Sequence, residues 1–212
     1  MGRKKKLFAL IPHFDYIDSS FSDNFIWGKI MDYKLFVDQF LKYPKEIGTF
    51  TTSSKFLARQ MTRVIGDSLN VVEFGSGTGA VTAQILKVLR PDGKLTCFEA
   101  NTAFCDALRK IKDRRITIIN DSCENAPKYA DCTDCIISSI PLANMTRHQR
   151  QHILTIAAGA KKFVQLQYMP LLTKEIKHYF TNVDLQFIAL NIPPAFIYVC
   201  DNIQTRPALL HR

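Results

Sequence analysis

The stretch Val71-Val72-Glu73-Phe74-Gly75-Ser76-Gly77-Thr78-Gly79-Ala80-Val81 decides how the chain is read. An apolar run suited to a buried strand meets three glycines alternating with small polar residues, and a helical pattern follows. Glycines between a strand and a helix let backbone N–H groups approach a polar or anionic ligand closely. The spacing Gly75-x-Gly77-x-x-Ala80 satisfies the dinucleotide fingerprint, so NAD is one candidate. Glu73 weighs against it: a carboxylate at the ligand end of the strand repels a pyrophosphate and attracts an ammonium. With Gly79 the motif becomes E-x-G-x-G-x-G.

Downstream of Asp67 the chain alternates short strands with helices. Strands are predicted over residues 70–74, 94–98, 116–120, 135–139 and 163–168, then 185–190 and 195–200 as a closing pair. Helices are predicted over 78–89, 103–111, 148–158 and 172–180, and Pro91-Asp92-Gly93 is a turn. Such a series implies a helix-flanked, mostly parallel sheet with one late antiparallel strand. Upstream, Phe25, Ile26, Ile30, Tyr33, Phe36, Val37, Phe40 and Leu41 recur at helical spacing, and a second helix after Ser53-Ser54 carries Phe56, Leu57, Met61 and Ile65. The chain is expected to divide into an N-terminal helical cap, 1–68, and a sheet domain, 69–212.

The 212 residues suffice for one sizeable core, and 47% of them are apolar, which excludes a disordered chain. No apolar run is long enough to span a bilayer. The basic residues 3–6 and the apolar residues after them begin like a signal peptide, but the apolar part is short and no cleavage site follows. Lys6 stands where a myristoylation motif wants Ser or Thr. A cytoplasmic protein is expected. Cys132-x-x-Cys135 lacks the second pair or histidine of a zinc site, so no metal is assigned. A net charge of +9 favours an anionic partner, either nucleic acid or an acidic membrane surface.

The glycine motif resembles the first motif of class I S-adenosylmethionine-dependent methyltransferases, whose seven-stranded Rossmann-like sheet the chain is then expected to share. The resemblance assigns Glu73, Gly75, Gly77 and Gly79 to the cofactor. It makes Glu99, ending the second strand, the acid on the ribose, and Asp121, ending the third, the acid near the adenine. After the fourth strand, methyltransferases acting on base amines carry N-P-P-Y or N-L-P-Y; here Ser139 replaces the asparagine and Leu142 the aromatic residue. Leucine offers no π-face for a flipped base, which disfavours a nucleic-acid substrate. Residues 45–58, the segment Ser139-Ile140-Pro141-Leu142 with Met145, the Q-L-Q-Y-M-P run 165–170 and Asn191-Ile192-Pro193-Pro194-Ala195 followed by Tyr198 resemble motifs of bacterial phospholipid N-methyltransferases. These convert phosphatidylethanolamine to phosphatidylcholine by successive methylations.

The resemblance implies a peripheral enzyme, expected to be monomeric, at the inner face of the membrane, taking phosphatidylethanolamine and contacting anionic lipids. Lys29, Lys34 and Lys42 among the apolar residues 25–41 suit interfacial binding, and the same stripe equally suits covering the sheet. On the acceptor side Tyr168 and Ser139 are the catalytic candidates. The backbone of Ile140, Pro141 and Leu142 is the substrate-binding candidate opposite Tyr168, and Pro193 and Pro194 are a candidate wall of the substrate site. An aromatic face at Tyr168 would attract the methylated ammonium that forms. Two other readings stand beside this one: an RNA adenine N6-methyltransferase, and a membrane-surface module that binds the cofactor without turnover.

Overall fold

A computed structural model describes residues 53–130, 132–191 and 194–202. The basic residues 3–6, the stripe 25–41 and Pro193 lie outside the described residues. The chain runs α1 (Ser53–Thr62), β1 (Asn70–Phe74), α2 (Ala80–Val88), β2 (Lys94–Phe98), α3 (Thr102–Leu108), β3 (Ile116–Ile119), a 3-10 turn (Cys123–Lys128), β4 (Cys135–Ser138) and a second 3-10 turn (Leu142–Asn144). It then continues α4 (Arg147–Ala158), β5 (Lys162–Gln167), α5 (Thr173–Tyr179), β6 (Asn182–Ile188) and β7 (Ala195–Asp201).

The strands form one sheet in the order β3-β2-β1-β4-β5-β7-β6. β1 to β5 pair in parallel, and β7 runs antiparallel to both β5 and β6. This is the expected mostly parallel sheet with one antiparallel strand. The chain travels outward from β1 through β2 to β3, then returns to place β4 on the other side of β1. That reversal opens a crevice at the carboxyl ends of β1 and β4, where open α/β sheets bind ligands. The glycine turn and Ser139 stand on its two sides.

Side-chain alternation gives the sheet two cores. On one face Val72, Phe74, Ile136, Phe163 and Tyr198 pack under α4 and α5 through Ile153, Leu154, Ala157 and Ile176. On the other, Val71, Leu95, Ile137, Val164 and Ile197 meet α1 and α2 through Leu57, Met61, Ile85 and Leu89. Met61 and Ile65 are completely buried, each side chain worth about 1.5–3 kcal/mol on burial. The end of the expected N-terminal cap is therefore integral to the sheet's core.

Local chemistry sets the element ends. Asn101 accepts from Ala103 N and Phe104 N to start α3, and Thr146 with Gln149 forms a capping box on α4. Asp134 accepts from Leu69 N, Asn70 N and Lys161 Nζ, tying together the starts of β1, β4 and β5. Arg150 pairs with Glu175 at 3.0 Å and joins α4 to α5.

The sequence placed the sixth strand over 185–190, whereas it spans Asn182–Ile188. It is an edge strand whose polar Asn182 and Asp184 mask its start, while the apolar run that drew the prediction ends at Leu190, which is 69% exposed and past the strand. Cys135 is buried within β4, its thiol pushed up to about 12 by burial, while Cys132 is exposed. Among the described residues, no group of His, Cys, Asp and Glu forms a metal cage. None of the described helices is long and apolar enough to cross a membrane.

Candidate active site

Gly75, Gly77 and Gly79 all have left-handed φ, at 75°, 51° and 85°. Each does different work. Gly75 donates to Phe98 O at 2.9 Å, and a Cβ on it would lie 2.7 Å from Ile140 Cγ2, so the turn packs directly on the loop after β4. Gly79 caps α2 and would bring a Cβ to 2.9 Å from Leu108. A Cβ on Gly77 would meet nothing within 4 Å: this is the open side of the turn, over which a ligand can lie.

Glu73 is completely buried beneath that turn. Its Oε2 accepts from Thr82 Oγ1 at 2.7 Å and Cys97 Sγ at 3.2 Å, while Oε1 has no hydrogen-bond partner. Burial raises the carboxyl above the usual range; the Thr82 and Cys97 hydrogen bonds pull the other way. Burial and the adjacent carboxylate push the Cys97 thiol up, so it remains a donor. The hydroxyls of Ser76 and Ser139 are likewise buried without a partner. The unpartnered Glu73 oxygen beneath an open glycine turn fits the ammonium of a methionine moiety.

Glu99 Oε2 accepts from Gly77 N at 2.8 Å and Oε1 from Asn101 N at 2.8 Å, which holds the carboxylate at the mouth of the turn. Asp121 accepts from Ser122 N and Asn125 Nδ2 through Oδ1, and from the Tyr129 hydroxyl through Oδ2. The Asn125 hydrogen bond leads in holding its carboxyl below the usual range. Tyr129 is 49% exposed, with its ring set edge-on to Phe98. Glu73, Glu99 and Asp121 thus follow one another across the adjacent strands β1, β2 and β3, as the sequence reading required. Thr82, Cys97, Asn125 and Tyr129 were not anticipated; the helix that carries Thr82 and the 3-10 turn bearing Asn125 bring them in, and no local motif marks them.

On the acceptor side, Ser139 N donates to Phe74 O at 2.9 Å and anchors the loop after β4. Pro141 has φ −80° and ψ 72°, and Leu142 N donates back to Ile140 O at 2.9 Å, an inverse γ-turn. That turn presents Pro141 to solvent and sends Leu142 inward. Leu142 is completely buried in the core with Ile153 and Leu172, so only its backbone can face the crevice. Tyr168, past the end of β5, packs with the α1–α2 core, the face that also carries Ile137 and Val164. Burial raises its hydroxyl's pKa, which suits a hydrogen-bonding phenol and argues against a proton-abstracting phenolate. Pro194 is half-buried before β7. Tyr198 is completely buried and bonds Thr173 Oγ1 at 2.9 Å, so this part of the hairpin motif fastens β7 to α5. His148 and His152 are exposed, and His152 Nε2 lies 3.2 Å from Glu124 O.

The model of the family described as ribosomal RNA adenine dimethylase matches residues 36–179 of the chain. An ornithine lipid N-methyltransferase from Singulisphaera acidiphila is 25% identical over 187 residues, covering 82% of this chain and 97% of that protein. Among solved structures, an rRNA methylase from Streptococcus thermophilus superposes with a TM-score of 0.54 at 14% identity, over 74% of this chain and all of that one. A precorrin-6y C5,15-methyltransferase from Geobacter metallireducens gives 0.56 at 13% identity, over 70% and 88%. The 23S rRNA methyltransferase ErmE gives 0.54 at 13% identity, over 73% and 69%. At these identities the structures share the fold alone.

Proposed function

The chain belongs to the ribosomal RNA adenine dimethylase family and is a class I S-adenosylmethionine-dependent methyltransferase, and from that premise we propose that its acceptor is the primary amine of an aminolipid headgroup, phosphatidylethanolamine first. One observation carries this reading. Leu142 stands where base-amine enzymes hold a stacking aromatic residue, and it is turned completely into the core, leaving no ring face for a flipped base. The lipid relative spans nearly all of its own length on this chain, and ornithine lipid and phosphatidylethanolamine both present a primary amine on a saturated carbon.

S-adenosylmethionine supplies an electrophilic methyl on a sulfonium, and the protein's task is alignment. Glu73 holds the ammonium of the methionine moiety, Glu99 the ribose hydroxyls, and Asp121 with Tyr129 the adenine end. The Ser139 hydroxyl, buried and without a partner, accepts a hydrogen bond from the acceptor amine. An apolar wall at Ile140 disfavours the ammonium form, so that the nitrogen lone pair is free for attack. Tyr168 offers its ring to the cationic product. Leu171, Phe187 and Leu190, 57%, 53% and 69% exposed, follow or end β5 and β6. They support contact with a bilayer from which only the headgroup is lifted, and the basic charge of the chain supports anionic lipid there.

The family's description and the +9 charge favour a second reading, adenine methylation in ribosomal RNA. The test is transfer of labelled methyl to vesicles of phosphatidylethanolamine with anionic lipid, to the same vesicles carrying ornithine lipid, and to ribosomal RNA. Labelled lipid is expected, and the product ladder reads the number of transfers. Labelled RNA with unlabelled lipid overturns the proposal.

A further inference from the structure

We infer that Gln165 is a positioning residue for methyl transfer, holding Ile140 against Gly75 so that the acceptor and cofactor sides of the crevice keep one register. The inference rests on the acceptor binding at the turn after β4, as proposed above.

Gln165 lies in β5, completely buried, directly between Ser138 of β4 and Tyr198 of β7. Its neighbours along that face of the strands, Phe163 and Ile136, are apolar core. A leucine or methionine would fill such a place without the penalty of burying an amide. The amide is instead committed to a task. Its Nε2 donates both hydrogens, to Ile140 O at 2.9 Å and to Leu166 O at 2.7 Å. Ile140 O accepts from Leu142 N as well, so both of its lone-pair directions are filled and the carbonyl is held toward the core.

That fixes the residue's other side. Ile140 Cγ2 occupies the space a Cβ on Gly75 would need, 2.7 Å from where that atom would sit. A chain of direct contacts therefore runs from Gln165 through Ile140 to the first glycine of the cofactor turn. It also decides which group can receive the amine. With the Ile140 carbonyl fully bonded, the unpartnered Ser139 hydroxyl remains as a side-chain acceptor on this turn. The carbonyl oxygen of the Gln165 amide, the Ser138 hydroxyl and the Gln167 amide nitrogen are also buried without partners. So much unmet polarity within β4 and β5 is a feature a purely apolar core would not keep.

The test compares wild type, Gln165→Met and Gln165→Glu in three measurements. These are kcat and KM for lipid methylation, cofactor affinity by calorimetry, and methyl NMR of the contact between the Ile140 γ2-methyl and the Gly75 α-protons. For Gln165→Met the expected result is a kcat lower by about 10- to 100-fold, the size of loss that a misplacement near 1 Å produces. Cofactor Kd stays within about 3-fold, and the Ile140–Gly75 contact is lost. In Gln165→Glu, a buried carboxyl between two carbonyls has a raised pKa and donates only while protonated. Its activity relative to wild type should fall as pH rises, whereas the deficit of Gln165→Met is the same at every pH. An unchanged Ile140–Gly75 contact in both variants overturns the inference, as does a kcat within about 3-fold of wild type. A cofactor Kd that weakens in step with kcat, with no pH signature in Gln165→Glu, reduces the residue to packing and also overturns it. If wild type methylates no lipid yet the NMR contact disappears on substitution, the positioning role stands and the lipid reading falls.

Discussion

Replacing Glu73 by Gln should weaken cofactor binding and strengthen the fold at the same time, a pairing of signs that a structural residue would not give. The carboxylate is completely buried, and one of its oxygens has no partner. A hydrogen bond between charged groups contributes about 1.5–3 kcal/mol. Losing the attraction to the ammonium of S-adenosylmethionine should therefore raise its Kd by about 10- to 150-fold. The amide carbonyl can still accept from Thr82 and Cys97, so the local hydrogen bonds survive. Without its ligand the wild-type protein carries a buried acid whose pKa is raised above 4.5. Between about 4.5 and that raised value, the native state keeps a proton the unfolded chain has lost, so stability falls as pH rises through the window. The glutamine variant has no such slope and should melt a few degrees higher at neutral pH, about 2–4 °C for each kcal/mol removed. Cofactor binding favours the carboxylate, so wild-type affinity should strengthen with rising pH, and this dependence should vanish in Glu73→Gln. Calorimetric titration across pH and scanning calorimetry of the ligand-free protein read both effects. Cofactor affinity within 2-fold of wild type, or a melting temperature that drops along with affinity, would refute the reasoning.

Gly75→Ala combines a left-handed φ with a Cβ 2.7 Å from Ile140 Cγ2, and should lose more than the roughly 1–2 kcal/mol of backbone strain alone. Gly77→Ala has open space around its Cβ; thermal melts should show only that backbone strain, while calorimetry shows cofactor affinity lost because the methyl enters the ligand's space. Leu142→Ala should cost about 2–5 kcal/mol in denaturant unfolding, the loss typical of a fully buried leucine. Leu142→Tyr should destabilise without creating RNA methylation, since the position points into the core. The Arg115 guanidinium beside Asp113 holds that carboxyl down to about 2 and also donates to Leu86 O and Leu89 O at the end of α2. Its stabilisation is present above about 3.8 and is lost as pH falls toward 2. The melting temperatures of wild type and Asp113→Asn should therefore converge on acidification.

Residues read along the chain were enough for the sheet, most of its strand limits and the identity of the cofactor. A buried parallel strand is a continuous apolar run and a left-handed turn demands glycine; both are local properties. The left-handed φ of Gly75, Gly77 and Gly79 was legible for that reason, whereas the cofactor roles of Glu73, Glu99 and Asp121 came from the family resemblance of the motif. Tertiary structure alone decided the rest. Leu142 reads as a member of a substrate loop, but the inverse γ-turn at Pro141 sends it into the core, a choice made by Ile153 and Leu172 from distant parts of the chain. The polar start of β6 is strand because β7 pairs with it, and no apolar pattern announces an edge. Gln165 opens the Q-L-Q-Y-M-P run, but nothing in that run says what its amide bonds. Only the register of β5 against β4 places its amide on the Ile140 carbonyl. A hydrogen bond between residues 25 positions apart depends on how strands are ordered in the sheet, and that ordering is a property of the whole fold.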